Sequence, residues 1–139
     1  MRVQSLGHVV LKVRDLERSE AFYSGVLEIA VISRISHPVH MTFFTLGNHH
    51  DFAIIEVGED APSPDPRATG LAHIAFKIGE TLEDFDSMRS HLESAGIDGL
   101  FTAERAFTTS LHLLDPDGHE VELYIDTTTN WKASVLATT

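Results

Sequence analysis

Leu6-Gly7-His8-Val9-Val10-Leu11-Lys12-Val13 and Leu71-Ala72-His73-Ile74-Ala75-Phe76-Lys77-Ile78 spell one pattern twice. Each reads Leu-x-His, three apolar residues, Lys and a further apolar residue. An internal repeat of this kind predicts two similar halves. Side chains alternate between the two faces of a strand. Val9, Leu11 and Val13 therefore share one face, as do Ile74, Phe76 and Ile78. His8 and His73 point to the opposite face.

Outward from these strands the halves keep matching. Asp15 is placed to cap a helix whose apolar positions Leu16, Phe22, Tyr23, Val26 and Leu27 recur at helical spacing, with Gly25 a weak point. Thr81-Leu82-Glu83-Asp84 reads as a capping box. Leu82, Phe85, Met88 and Leu92 form the stripe of the second helix, which Gly96 ends. Three strand-like runs follow each helix, near 29–36, 40–47 and 51–58, then near 97–104, 109–115 and 119–126. The expected fold class is α+β: two βαβββ modules, about 5–58 and 70–126, in a single domain. Residues 59–69 read as the linker, since Glu59–Pro66 holds three prolines. The tail 127–139 shows weak periodicity, with Trp131 as a candidate anchor.

Composition narrows the function. The 139 residues carry 10 basic and 21 acidic side chains, so the formal charge is 10 − 21 = −11. Nucleic acid and anionic membranes both call for a basic face, so neither is expected as a partner. There is no cysteine, which excludes disulfides, thiolate ligands and cysteine nucleophiles. No apolar run reaches the length of a membrane span. Met1–Ser5 does not read as a signal peptide, so a cytoplasmic location is expected. Nine histidines is a high count for this length and points to metal or proton chemistry.

The repeat organises these polar residues. In the final strand Val121, Leu123 and Ile125 make the packed face, and Glu120, Glu122 and Tyr124 point away. In the run 51–58, alternation puts His50, Phe52, Ile54 and Glu56 on one face. His8 and Glu56 are 56 − 8 = 48 positions apart, and His73 and Glu122 are 122 − 73 = 49 apart. Each half thus sets a His at the start of its first strand and a Glu near the end of its last. Two imidazoles with one or two carboxylates suit a divalent metal. Asp115-Pro116-Asp117-Gly118 is a turn and carries no chemistry.

Gly7–Val13, Ala21-Phe22-Tyr23-Ser24-Gly25-Val26-Leu27, Leu71–Phe76 and Asp115–Tyr124 together resemble the vicinal oxygen chelate superfamily. That group includes glyoxalase I, extradiol ring-cleaving dioxygenases and bleomycin-resistance proteins. The resemblance covers roughly residues 5–126. It implies paired βαβββ modules forming a curved mixed sheet around a metal cavity, with His8, His73 and Glu122 as ligands, and often a homodimer. The cofactor expected is a divalent metal, Fe(II) first, with Mn, Zn or Ni as alternatives. The substrate expected is a small molecule with vicinal oxygens.

Three activities fit such a resemblance. Leu46-Gly47-Asn48-His49-His50-Asp51-Phe52-Ala53-Ile54 looks like the paired-histidine strand of extradiol dioxygenases, which makes His50 the proton-transfer residue. A divalent ion with two neutral His and one Glu carries +1, which suits a catecholate monoanion. The dioxygenases usually carry a Tyr ten residues before the glutamate ligand; here that position is His112, a candidate pocket donor. Their further pocket His has no counterpart near Ala103 to Arg105. Glyoxalase I is the runner-up. There Glu56 becomes the fourth ligand, and a carboxylate takes a proton next to a carbonyl. A drug-binding protein of the bleomycin-resistance type is third. Phe43, Phe44 and Phe52 are candidate walls for an aromatic substrate, with core packing the expected role of at least two of them. His37 and His40 read as exposed loop residues around Pro38.

Overall fold

The computed structural model describes residues 2–128; the expected anchoring role of Trp131 lies outside them. The chain divides into two compact units, Met1–Pro64 and Asp65–Thr139. Among the described residues no helix is long and apolar enough to cross a membrane.

In the first unit β1 (Val9–Val13) is followed by α1 (Leu16–Glu20), β2 (Ala30–Ile35), β3 (Met41–Thr45) and β4 (Phe52–Glu56). The sheet order is β1-β4-β3-β2, with β1 and β4 parallel and the other pairs antiparallel. Asp15 caps α1, its carboxylate accepting the Arg18 amide at 2.7 Å. The expected single α-helix then widens into a π-helix, Ala21–Val26, where the Leu27 amide donates to the Phe22 carbonyl at 3.0 Å. This turn delivers Phe22 and Tyr23 together to the sheet. The Tyr23 ring meets Phe22 edge-on at 5.1 Å and Phe52 at 4.8 Å, and Phe44 stacks on Phe52 at 5.5 Å. With Leu11, Val13 and Ile54 these side chains form the core.

Part of the expected linker belongs to this unit. Arg14 donates through Nε to the Ala61 carbonyl at 2.6 Å and through Nη2 to Ser63 Oγ at 2.7 Å. Arg18 reaches Glu59 at 3.2 Å. These bonds fasten residues 59–63 to the helix side, so the first unit runs past Gly58.

The second unit repeats the order: β5 (His73–Gly79), α2 (Leu82–Ser94), β6 (Phe101–Glu104), β7 (Thr108–Leu114) and β8 (Glu120–Asp126). Its sheet order is β5-β8-β7-β6, again with one parallel pair, β5 and β8. Both units are therefore βαβββ and the class is α+β. Thr81 and Asp84 form the capping box of α2, with Asp84 Oδ2 accepting the Thr81 and Glu80 amides, each at 2.9 Å. At the other end Gly96 has φ 73°, Ile97 N–H donates to the Leu92 carbonyl and Gly96 N–H to that of Glu93. These are the two bonds of a Schellman ending. Phe85 and Leu92 are buried from α2, which packs on β5 and β8; Val121, Leu123 and Ile125 of β8 and Leu111 and Leu113 of β7 are buried in the same unit.

Candidate metal centre

Strand alternation in the second unit builds a polar face opposite its helix-side core. In register, His73 lies beside Glu120, Ala75 beside Glu122 and Lys77 beside Tyr124. On the other side of β8, Glu122 lies beside His112, which in turn lies beside Phe101. Ala75 is small, so the Glu122 carboxylate has room to lean diagonally toward His73. His73 Nε2 stands 3.1 Å from Glu122 Oε2. Glu122 is 9% exposed and His73 is exposed, so the pair opens outward from a nearly buried carboxylate.

This pair fits a metal. A ring nitrogen and a carboxylate oxygen bind a transition ion at roughly 2.0–2.2 Å each. Two such ligands on adjacent coordination positions sit about 3 Å apart, close to the separation seen here. Neither atom is committed to a helix cap or turn. Among the described residues no group of three metal-ligating side chains gathers into a ready cluster. Of the three expected ligands, His73 and Glu122 belong to the second unit and His8 to the first.

The first unit carries an imidazole group of its own. His8 precedes β1, and its ring lies 4.4 Å from that of His50. His50 meets Phe43 edge-on at 5.5 Å and His49 at 4.2 Å, nearly parallel. Burial, with help from the charges of His49 and His8, holds the His50 pKa below the usual histidine value. Simple alternation placed His50 on the same face as Phe52, Ile54 and Glu56, and the structure corrects this. Asp51 is a bend, not a strand residue. Its carboxylate accepts the amides of Leu46 at 2.7 Å and Asn48 at 3.3 Å. These bonds turn the chain, and His50 comes to lie beside Phe43, across the sheet from buried Phe52. Of the three phenylalanines, Phe44 and Phe52 are core and Phe43 lies beside His50.

Glu56 is placed elsewhere. It pairs in register with Val13, which is buried on the helix side with Leu11. Its Oε1 accepts the Leu16 amide at 3.2 Å, and its Oε2 bonds His40 Nδ1 at 2.9 Å. The carboxylate thus braces the start of α1 and lies on the face opposite His8. The position in β4 that corresponds to Glu122 in β8 is Ala53, the partner of Val10. Separations of 48 and 49 look alike, but an odd difference along a strand reverses the face. His37 and His40 are both exposed, as expected, and His40 in addition bonds Glu56.

His112 is buried at 3% exposure. Its Nδ1 lies 2.7 Å from Glu120 Oε1 and its Nε2 3.1 Å from Ser110 Oγ, while Phe101 stacks on the ring at 4.5 Å. Glu120 was not singled out from sequence. Its diagonal offset of eight residues from His112, across the 115–118 turn, was the available signal. That turn is rigid: Asp115 accepts the Asp117 and His119 amides at 2.9 and 2.8 Å, and Gly118 has φ 92°.

Residues 5–123 match the model of the Glyoxalase/Bleomycin resistance protein/Dioxygenase superfamily, and the chain belongs to that superfamily. It is 29% identical to the glutathione transferase FosA of Serratia marcescens, over 88% of this chain and 82% of FosA. It is 34% identical to biphenyl-2,3-diol 1,2-dioxygenase 3 of Rhodococcus globerulus, over 87% of this chain but only 63% of that enzyme. Identity to the metallothiol transferase FosB of Lysinibacillus sphaericus is 32%, over 91% and 86%. Among solved structures, a glyoxylase/bleomycin resistance protein/dioxygenase domain from Frankia shares the fold, with a TM-score of 0.76 at 24% identity over 90% of this chain and 99% of that one. Relatives in this superfamily bind divalent metals and are mostly enzymes.

Proposed function

We propose that this chain is a metal-dependent dioxygenase-like enzyme acting on a catechol or a similar small molecule with vicinal oxygens. The observation that carries the reading is the packing of His50 against His8, with Phe43 beside it. A proton-transfer imidazole then adjoins a ligand imidazole and an aromatic wall. The proposed ligands are His8, His73 and Glu122, and the favoured ion is Fe(II). Two neutral imidazoles and one carboxylate leave a divalent ion with open positions and a net positive charge, which supports chelation of an anionic diol. His50, kept neutral by its surroundings, accepts a proton from the incoming hydroxyl. His112 lines the site from β7. Glu56 is left out of the ligand set because its two oxygens already serve Leu16 and His40. That also weighs against a glyoxalase I-type lyase with a carboxylate base from this half. A cytoplasmic homodimer is part of the same proposal.

The test is reconstitution of anaerobic protein with Fe(II), then titration with catechol followed by absorption. A catecholate band and oxygen uptake on admitting air are expected. Zinc or nickel occupancy with no catechol response overturns the reading in favour of a lyase, and absence of any metal favours a binding protein.

A second reading has its own support. The chain spans 82% of FosA and 86% of FosB, against 63% of the dioxygenase. A thiol transferase with the same ligands is therefore the alternative. Metal-dependent loss of glutathione in the presence of fosfomycin, without oxygen uptake, would select it.

A further inference from the structure

The sheet face that carries His73 and Glu122 turns apolar at its far side. One row across that face runs Ala75, Glu122, His112, Phe101, and the neighbouring row runs His73, Glu120, Leu114. Adjacent strands lie roughly 4.8 Å apart, so Phe101 stands two strands, or roughly 10 Å, from Glu122. On the opposite face Leu111, Leu113 and Leu123 are buried, whereas Phe101 is 56% exposed and Leu114 61%. Phe101 is nonetheless fixed in place. Its ring lies 4.5 Å from that of His112 at an interplanar angle of 9°, and His112 is held between Glu120 Oε1 at 2.7 Å and Ser110 Oγ at 3.1 Å. The His73 ring meets His112 edge-on at 6.3 Å. Three rings thus run from exposed His73, over buried His112, to exposed Phe101.

We propose that Phe101, with Leu114 in the neighbouring row, is a specificity-determining contact that takes the apolar part of the substrate. The assignment rests on reading the chain as a metal-dependent enzyme for a molecule with vicinal oxygens. It narrows that class to molecules with an apolar group remote from the two oxygens. The oxygens are held at the His73 and Glu122 end, and the apolar group lies on the Phe101 ring. Covering exposed apolar surface is favourable in itself. A ring already stacked on His112 gives up little freedom when a ligand covers it. A charged group in the same place would lose its water and find no partner on Phe101 or Leu114. Contacts of this kind discriminate by roughly 10-fold for a small apolar group.

The probes are catechol and 4-tert-butylcatechol, titrated anaerobically into the Fe(II)-loaded full chain and followed by absorption. The wild type should bind 4-tert-butylcatechol more tightly than catechol. Phe101→Ala should cut that preference, the ratio of the two dissociation constants, roughly 10-fold. Phe101→Leu keeps an apolar side chain and should retain most of it. Leu114→Ala leaves the His112 ring stacked and should lower the ratio by a smaller factor. Thermal midpoints check that all three variants fold. In the Zn(II)-loaded wild type the tert-butyl protons should give a nuclear Overhauser effect to the Phe101 ring, a readout that needs no turnover. An unchanged ratio in both Phe101→Ala and Leu114→Ala, or bound 4-tert-butylcatechol with no such effect at Phe101, overturns the proposal while leaving the diol reading in place. A wild-type chain that loads metal but binds neither diol overturns that reading, and the proposal with it.

Discussion

At the scale of single residues, the account turns on which side chains hold the ion and which move protons. His73→Ala, Glu122→Ala and His8→Ala should each abolish stoichiometric metal, measured by elemental analysis of purified protein. Glu122 is nearly buried between Ala75 and His112. Its replacement by alanine removes a charge without opening a large void, and loss of metal should exceed loss of stability. His50→Ala should keep its metal and lose roughly 100- to 10,000-fold in turnover, the usual worth of a positioned acid–base group. Loss of metal in that variant would instead make His50 a ligand.

At the scale of elements, local signals in the sequence were legible wherever backbone geometry stayed regular. The capping box at Thr81 and Asp84, the Gly96 ending and the turn at 115–118 all follow from residue chemistry. The face shared by His73 and Glu122 follows from alternation that holds from His73 to Lys77 in β5 and along the facing part of β8; the register shifts only beyond Lys77. Alternation failed at His50 because Asp51 gathers backbone amides into a bend before β4. Glu56 does share the face of Phe52 and Ile54, and there the match of 48 with 49 positions misled, since an odd difference reverses the face. The widening of α1 at Ala21–Val26 was likewise hidden, since a π-helical turn leaves the apolar spacing almost unchanged. Two predictions belong here. Gly79 has no room for a methyl group beside the Asp84 side chain. Gly79→Ala should therefore disturb the capping box and cost roughly 1–3 kcal/mol of stability by denaturant unfolding. The second concerns acid. Backbone amides of Leu46 and Asn48 lower the Asp51 pKa, the Glu80 amide and Thr81 lower that of Asp84, and the Arg34 guanidinium lowers that of Glu20. A lowered folded-state pKa gives stability that is complete above the unfolded-state value and is lost as pH falls through the folded one. Thermal midpoints should hold above about pH 5 and fall progressively below about pH 4.

At the scale of the whole molecule, the repeat of one eight-residue pattern made the two-module architecture readable. It could not say which module's carboxylate faces the histidines. That depends on loop lengths: the first unit reaches β4 by a route that leaves Ala53 where the second unit has Glu122. The two units therefore carry different polar groups. The second unit offers an imidazole–carboxylate pair, and the first offers stacked imidazoles and an aromatic ring. If the ion draws on both ends of the chain, it should stabilise the folded state by about 2.7 kcal/mol at a free concentration one hundred times its dissociation constant. Chelator should then lower the thermal midpoint of the wild-type chain and leave that of Glu122→Ala unchanged.

The most direct test is the metal content of anaerobically purified wild-type protein beside Glu122→Ala. The account predicts one divalent ion per chain in the wild type and none retained in the variant. Equal metal in both, or none in either after reconstitution with Fe(II), would contradict it.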